Sequence, residues 1–194
     1  MRKVTLYTLF ALLLAASLTA CSETEEVNKY ENWRARSEAF IDSIANVYQG
    51  QRTGSIKVND VKDSLYRFQD LTNFEWIYVK KLKDGNGTVS PYMTSTVNAY
   101  YRMSYFNGDV VQQNFTGNDP DSFGVGGAPS SFTLDGVISG WTYTLIHMKV
   151  GDYWTLYIPY QSAYADGTGS DGSLQAYSAL VYNVKLDGIP ELTR

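Results

Sequence analysis

A chain of 194 residues with 16 Lys and Arg against 20 Asp and Glu carries a net charge of −4 with the signs interspersed, so it has no basic stripe to neutralise phosphates and nucleic acid is excluded as a partner. One cysteine, Cys21, rules out a disulfide within the molecule. One histidine, His147, has no neighbouring Cys or second His, which argues against a metal centre or a histidine base and leaves it a solvated or edge position.

The first 20 residues read as a signal peptide: Arg2 and Lys3 precede the apolar run Leu9 to Leu14, which ends in small residues and is too short to span a bilayer as a mature helix. The residues Leu18-Thr19-Ala20-Cys21 resemble the lipobox of bacterial lipoproteins. That resemblance implies lipidation of Cys21 and a protein held on the outer membrane of the cell envelope, facing the periplasm or the exterior; each buried CH₂ of an acyl chain contributes about 0.8 kcal/mol. Residues 21–30 form an acidic tether. Glu23, Glu25 and Glu26 resemble the surface-export signal of some Bacteroidetes lipoproteins, and they equally suit a solvated linker.

Residues 31–72 are expected as a helical extension. Asn28 and Glu31 have the spacing of a capping pair, after which Trp33, Phe40, Ile44 and Val47 recur at helical spacing until Gly50 and Gly54 stop the pattern. The apolar face so formed packs on the main domain or pairs two copies of the chain. A second, weaker pattern (Val58, Val61, Leu65, Phe68) predicts another helix over residues 55–72.

The period changes across residues 73–190, the main domain. FEWIYVKKL is rich in aromatic and β-branched residues and ends at the turn Asp84-Gly85-Asn86-Gly87. VNAYYRMSYF alternates, with Val97, Ala99, Tyr101, Met103 and Tyr105 on one face, and Asn107-Gly108 follows as a hairpin turn. The loop 114–131 is long for a compact domain, a frequent sign of function. A short strand at 132–134, a helix from Ile138 to Met148, a strand from Tyr153 to Ile158, a loop over 160–177 and a strand from Ala179 to Leu186 complete the order. The expected class is α+β, an antiparallel sheet with one short helix filling its concave face.

Within residues 132–186, Val137, Ile138 and Trp141 gather at the start of that helix, and Tyr164 and Tyr182 follow on elements able to fold over the same hole. The group contains no nucleophile, and no Ser/His/Asp triad can be assembled around His147. Gly124-Val125-Gly126-Gly127 lacks the context of a phosphate loop, and the Asp166 to Gly172 run lacks the final Glu of a calcium loop, so both read as flexible loops and no cofactor is implied. The pocket reads as dry and aromatic.

Over roughly residues 74–189 the chain resembles the FKBP-type peptidyl-prolyl cis-trans isomerases. FTLDGVISGW is similar to the family's F-x-L-G followed by V-I-x-G-W; HMKVG to its M-x-x-G; LYIP to its strand before the active-site loop; SAYADGTG and YSALVYNVKL to its A-Y-G-x-x-G and L-x-F-x-V-x-L. The resemblance implies an antiparallel sheet half-wrapped around a short helix, with a proline-binding pocket between them. It implies Trp141 as pocket floor, Val137 and Ile138 as a wall with backbone groups facing the peptide, Tyr101 and Tyr182 as sides, and Tyr164 as a hydroxyl donor to a substrate carbonyl. Leu174 falls in the closing loop.

The family's Phe-Asp pair falls on Val111-Gln112 here and the glycine after the active-site tyrosine on Ala165, with Phe115 the ring available to fill the space of the lost one. The activity so implied is cis-trans isomerisation of Xaa-Pro bonds in proline-containing segments of exported proteins. A non-catalytic peptide- or protein-binding lipoprotein of the same fold, and a structural lipoprotein associating through the Trp33/Phe40/Ile44 helix, stand beside it.

Overall fold

The computed structural model describes residues 28–122, 124, 126–169 and 172–192. The leader, Cys21 and most of the acidic tether lie outside the described residues. The chain divides into two units, Met1–Glu31 and Asn32–Arg194. In the first, residues 28–31 form a turn in which the Glu31 N–H donates to the Asn28 carbonyl at 2.9 Å. Asn28 therefore closes a turn rather than capping the helix, and the entry to the helix is Asn32, in the left-handed region at φ 51°.

The second unit opens with α1, Trp33–Thr53, which Gly54 ends at φ 77°, a conformation that costs glycine nothing. Gly50 lies inside the helix instead of ending it. The helix buries Trp33 and Ser37 and half-buries Phe40, Ile41, Ile44 and Tyr48, one stripe at 3.6-residue period. Val47 falls off that stripe and is exposed. Phe40 meets Phe106 and Tyr157 at 6.0 and 6.1 Å and Tyr48 meets Tyr78 at 5.8 Å, so this apolar face packs on the sheet.

Residues 55–72, expected as a helix, carry a short turn at Val61–Asp63 and then a strand, β1, Leu65–Gln69. The helical spacing of Val58, Val61, Leu65 and Phe68 competes there with a period of two, Tyr66 and Phe68, whose rings pack on the core, while Val58 and Val61 remain exposed. Pairing with β2, Trp76–Lys83, decides the outcome: Leu65 to Gln69 lie opposite Lys80 to Trp76 in an antiparallel ladder that satisfies both backbones.

The other strands are β3 (Thr96–Tyr105), β4 (Val110–Gln113), β5 (Ser130–Thr133), β6 (Tyr153–Ile158) and β7 (Leu180–Gly188), and the helix α2 (Ser139–Leu145) lies between β5 and β6. They form a seven-stranded antiparallel sheet of order β1-β2-β6-β7-β3-β4, with β5 also on β3. Every connection between neighbours is antiparallel, and the fold is the α+β arrangement expected.

Alternation sets the two faces of the sheet. Val79, Ala99, Met103, Trp154, Leu156, Ile158, Tyr182 and Val184 point inward, where Trp141, Leu145 and Met148 from α2 and its end complete the core. Gly140 lets α2 approach closely, since a Cβ there would lie 2.5 Å from Ile158 Cγ2 and 2.9 Å from the Ser162 carbonyl. The outer face carries Lys83 and Lys185, both paired with Asp121. Asp121 belongs to the long loop 114–131, and Tyr153 donates to its Asn118 carbonyl at 2.9 Å. These contacts fasten the loop to the outer face, away from α2.

Candidate functional site

α2 and the inner face of the sheet enclose a cavity of about 460 Å³ lined by Tyr101, Gln112, Phe132, Gly136, Val137, Ile138, Trp141, Tyr164 and Tyr182. Each side chain arrives by a separate local rule. Tyr101 sits mid-β3 on the inward face, and Tyr182, on β7 opposite Met103, points the same way. Val137 and Ile138 link a short turn, Leu134–Gly136, to α2. Thr142 fixes that link by donating to the Leu134 carbonyl at 2.5 Å, and the Ile138 carbonyl accepts the Trp141 N–H at 2.9 Å.

Four rings form the deep part. Trp141 is the hub, with centroids 5.2 Å from Phe132, 5.3 Å from Tyr182 and 5.7 Å from Tyr101, all near edge-to-face. Edge-to-face contacts are worth about 0.5–1.5 kcal/mol beyond the area they bury and hold the indole in one orientation. The indole Nε1 is buried without a hydrogen-bond partner among the described residues.

The polar content of the site is a group of hydroxyls. Burial, then the charge and hydrogen bond of Tyr164, push the Tyr182 phenol far above its ordinary pKa. Burial and the same neighbour raise that of Tyr101. Both phenols are therefore neutral donors at physiological pH. Tyr182 donates to Met103 Sδ at 2.8 Å, whereas Tyr164 stands 37% exposed at the mouth. None of the lining residues is an acid, a base or a cation. Among the described residues no three His, Cys, Asp or Glu group as a metal site, and His147 lies outside the cavity, stacked on Phe68 at 4.3 Å, where desolvation and then Lys81 lower its pKa.

Tyr164 follows the turn Tyr160–Ser162 and is set by backbone bonds from Ala165 N–H to the Tyr160 carbonyl and from Gly167 N–H to its own carbonyl, both 2.8 Å. Ala165, where the resembled family has glycine, takes φ 53°, the left-handed region in which a Cβ is strained.

The structure brings together Tyr101, Val137, Ile138, Trp141, Tyr164 and Tyr182, with Gln112 at the rim. Val111 and Leu174 line, with Met103, Gln112, Tyr164, Gly169 and Ser173, an adjoining recess of about 120 Å³ that shares Gln112 and Tyr164 with that cavity. Phe115 does not replace the missing ring: it is 2% exposed beside Tyr100 and Arg102, which point to the opposite face of β3 from Tyr101. Strand alternation decides this, since Phe115 follows β4 and bridges Gly127 in the outer-face loop. Phe132 and Gly136 are the lining residues that sequence reasoning missed. Phe132 heads the same motif as Trp141, and a ring at the inward position of β5, opposite Val97, was the available signal.

The model of the FKBP-type peptidyl-prolyl cis-trans isomerase family matches residues 87–187. Among curated proteins, the macrophage infectivity potentiator of Trypanosoma cruzi is 32% identical over 112 residues, 58% of this chain and 52% of the relative. The FKBP-type 22 kDa peptidyl-prolyl cis-trans isomerase of Escherichia coli K12 is 33% identical over 105 residues, 54% of this chain and 46% of the relative. The chain thus spans about half the length of these relatives. Among solved structures, a peptidyl-prolyl cis-trans isomerase from Pseudomonas syringae pv. tomato DC3000 shares the fold at TM-score 0.51 and 24% identity, over 79% of this chain and 95% of that one.

Proposed function

This chain belongs to the FKBP-type peptidyl-prolyl cis-trans isomerase family, and from that premise we propose that it accelerates cis-trans isomerisation of Xaa-Pro bonds in the cavity between α2 and the sheet. The observation that carries the proposal is the cavity's chemistry: five aromatic and two aliphatic side chains line the slot, with phenol hydroxyls and the Gln112 amide as its polar side-chain groups. Rotation about a peptide bond is opposed by resonance worth roughly 18–20 kcal/mol, and an uncatalysed Xaa-Pro bond exchanges over tens to hundreds of seconds.

In the twisted form the prolyl nitrogen is pyramidal and the carbonyl loses its charge-separated character. A slot of rings around Trp141 that removes water from the bond disfavours the polar planar amide more than the twisted one, and only such a difference raises the rate. Val137 and Ile138 form one wall of the slot, and Tyr164 stands exposed at the mouth, where its hydroxyl would meet a substrate carbonyl. No bond is made or broken.

The clients fitting this reading are proline-containing segments of exported proteins, met at the envelope surface where acylated Cys21 would hold the protein. A protease-coupled assay on an Xaa-Pro peptide tests the activity. Micromolar protein should speed the slow phase, and Tyr164→Phe should lower kcat/KM about tenfold, the equivalent of about 1.4 kcal/mol. A wild-type rate equal to the spontaneous one overturns the reading.

A second reading, a peptide-binding module without turnover, draws on Gln112, the uncharged rim residue standing where the family has Asp. Saturable quenching of Trp141 fluorescence by the peptide, with no acceleration, would select it.

A further inference from the structure

Asp70 is fully buried, and its partners are hydroxyls and amides. Sequestering a carboxylate from water costs several kcal/mol unless its lone pairs are filled, so its position calls for a reason. Its local setting is rigid: Oδ1 accepts the backbone N–H of Thr72 at 2.8 Å and of Asn73 at 3.3 Å, and its own N–H donates to the Glu75 carbonyl at 2.9 Å. The β1–β2 connection thereby holds the carboxylate through bonds within six residues of chain.

The other oxygen bonds residues that adjoin the site in the chain. Oδ2 accepts Ser139 Oγ at 2.5 Å and Ser162 Oγ at 2.6 Å, residues 69 and 92 positions away. Asn73 Nδ2 donates to both Oδ2 and Ser139 Oγ at 3.0 Å, closing the network. Ser139 is the first residue of α2 and directly follows Ile138, the wall of the cavity. Ser162 ends the turn from which the chain runs to Tyr164, the mouth.

One oxygen atom therefore ties the residue after the Val137–Ile138 wall to the turn before Tyr164. The fit is close, because Gly140 brings the Ser162 carbonyl to where any side chain would collide. Asp70 lies outside residues 87–187, so the family match does not account for it.

We propose that Asp70 is a positioning residue of the isomerase site: through Ser139 and Ser162 it holds the Val137–Ile138 wall and the Tyr164 loop at the spacing the twisted Xaa-Pro bond requires. This rests on the isomerase reading above. It also makes the segment before the family-matched region a working part of the pocket and not a separate appendage.

The test uses the full chain and two variants, Asp70→Asn and the milder Ser162→Ala, which keeps the carboxylate and its other donors. Val79→Ala, a core truncation in β2 away from the cavity, serves as the stability control. At a temperature where all are folded, Asp70→Asn should lower kcat/KM by about tenfold and Ser162→Ala by about threefold, with Val79→Ala within about twofold of wild type. Amide hydrogen exchange should quicken in Asp70→Asn at 137–141 and 162–165 as well as at 70–75.

Asp70→Asn or Ser162→Ala tracking Val79→Ala in rate, or faster exchange confined to 70–75, overturns the proposal. If wild type itself fails to turn over, the isomerase reading falls separately. Exchange at 137–141 and 162–165 then decides whether Asp70 holds the two walls, and unchanged protection there overturns that role too.

Discussion

Trp141 and Tyr182, on α2 and β7, are 3% and 4% exposed at the floor of the cavity, while Tyr164 at its mouth is 37% exposed on a loop shaped by backbone turns. The floor is simultaneously core: the same rings that would bind proline hold α2 on the sheet. The mouth contributes little to burial and mostly to chemistry. Binding and folding are thus coupled at the floor and separable at the mouth, and substitutions at the two places should have opposite signatures.

The largest effect is expected at the floor. Trp141→Ala removes the hub of four rings and should cost about 3–5 kcal/mol of stability, as Trp and Phe truncations in cores do, along with peptide turnover. Urea denaturation reads it; a loss below about 1 kcal/mol would break the identity of floor and core.

Gly140→Ala comes next. Its Cβ would press on Ile158 and the Ser162 carbonyl, pushing α2 from the sheet at about 1–3 kcal/mol, the usual cost of overpacking.

Asp70 sharpens the comparison from the side. Burial pushes its pKa up, but the hydroxyls of Ser139 and Ser162, the Asn73 amide and the Thr72 N–H outweigh that and hold it below the ordinary carboxylate value. Glu75 is raised in turn, by burial and then by the charge of Asp70. Because the folded pKa of Asp70 lies below the unfolded one, its contribution is full above about pH 4 and is lost as pH falls through the folded value. The urea midpoint of wild type should therefore drop on acidification below about pH 4 more steeply than that of Asp70→Asn.

Tyr164→Phe should show the mouth's signature: a stability change within about 0.5 kcal/mol beside the rate loss already given. A large stability loss there would mean that the mouth is also core.

The inward residues of this site were legible because they obey local rules: Tyr101 and Tyr182 share the inward parity of β3 and β7, and Val137, Ile138 and Trp141 fall within five residues at the entry to α2. What was not legible depended on pairing across the chain. β1 reads equally as helix or strand until Trp76–Lys83 lies beside it, and Phe115 reads as a ring near the pocket until the loop 114–131 is pinned by Asp121 to the outer face. Asp70 gave no local signal at all, since its meaning comes from Ser139 and Ser162, each more than 60 residues on.

Ala165 supplies the smallest effect and the cleanest separation of mouth from floor. Held at φ 53° next to Tyr164, it has the backbone of a glycine and the Cβ of an alanine. Ala165→Gly removes that Cβ and relieves the left-handed strain, but it also gives the unfolded chain more freedom, so the net gain should stay below about 1 kcal/mol. The strain is local to the loop that carries the Tyr164 hydroxyl. If it helps aim that hydroxyl, Ala165→Gly should be slightly more stable yet slower on an Xaa-Pro peptide, a stability gain with a rate loss that no floor substitution can produce. Thermal denaturation and kcat/KM on one preparation measure both, and a variant that gains in each would show the strain to be without use at the mouth.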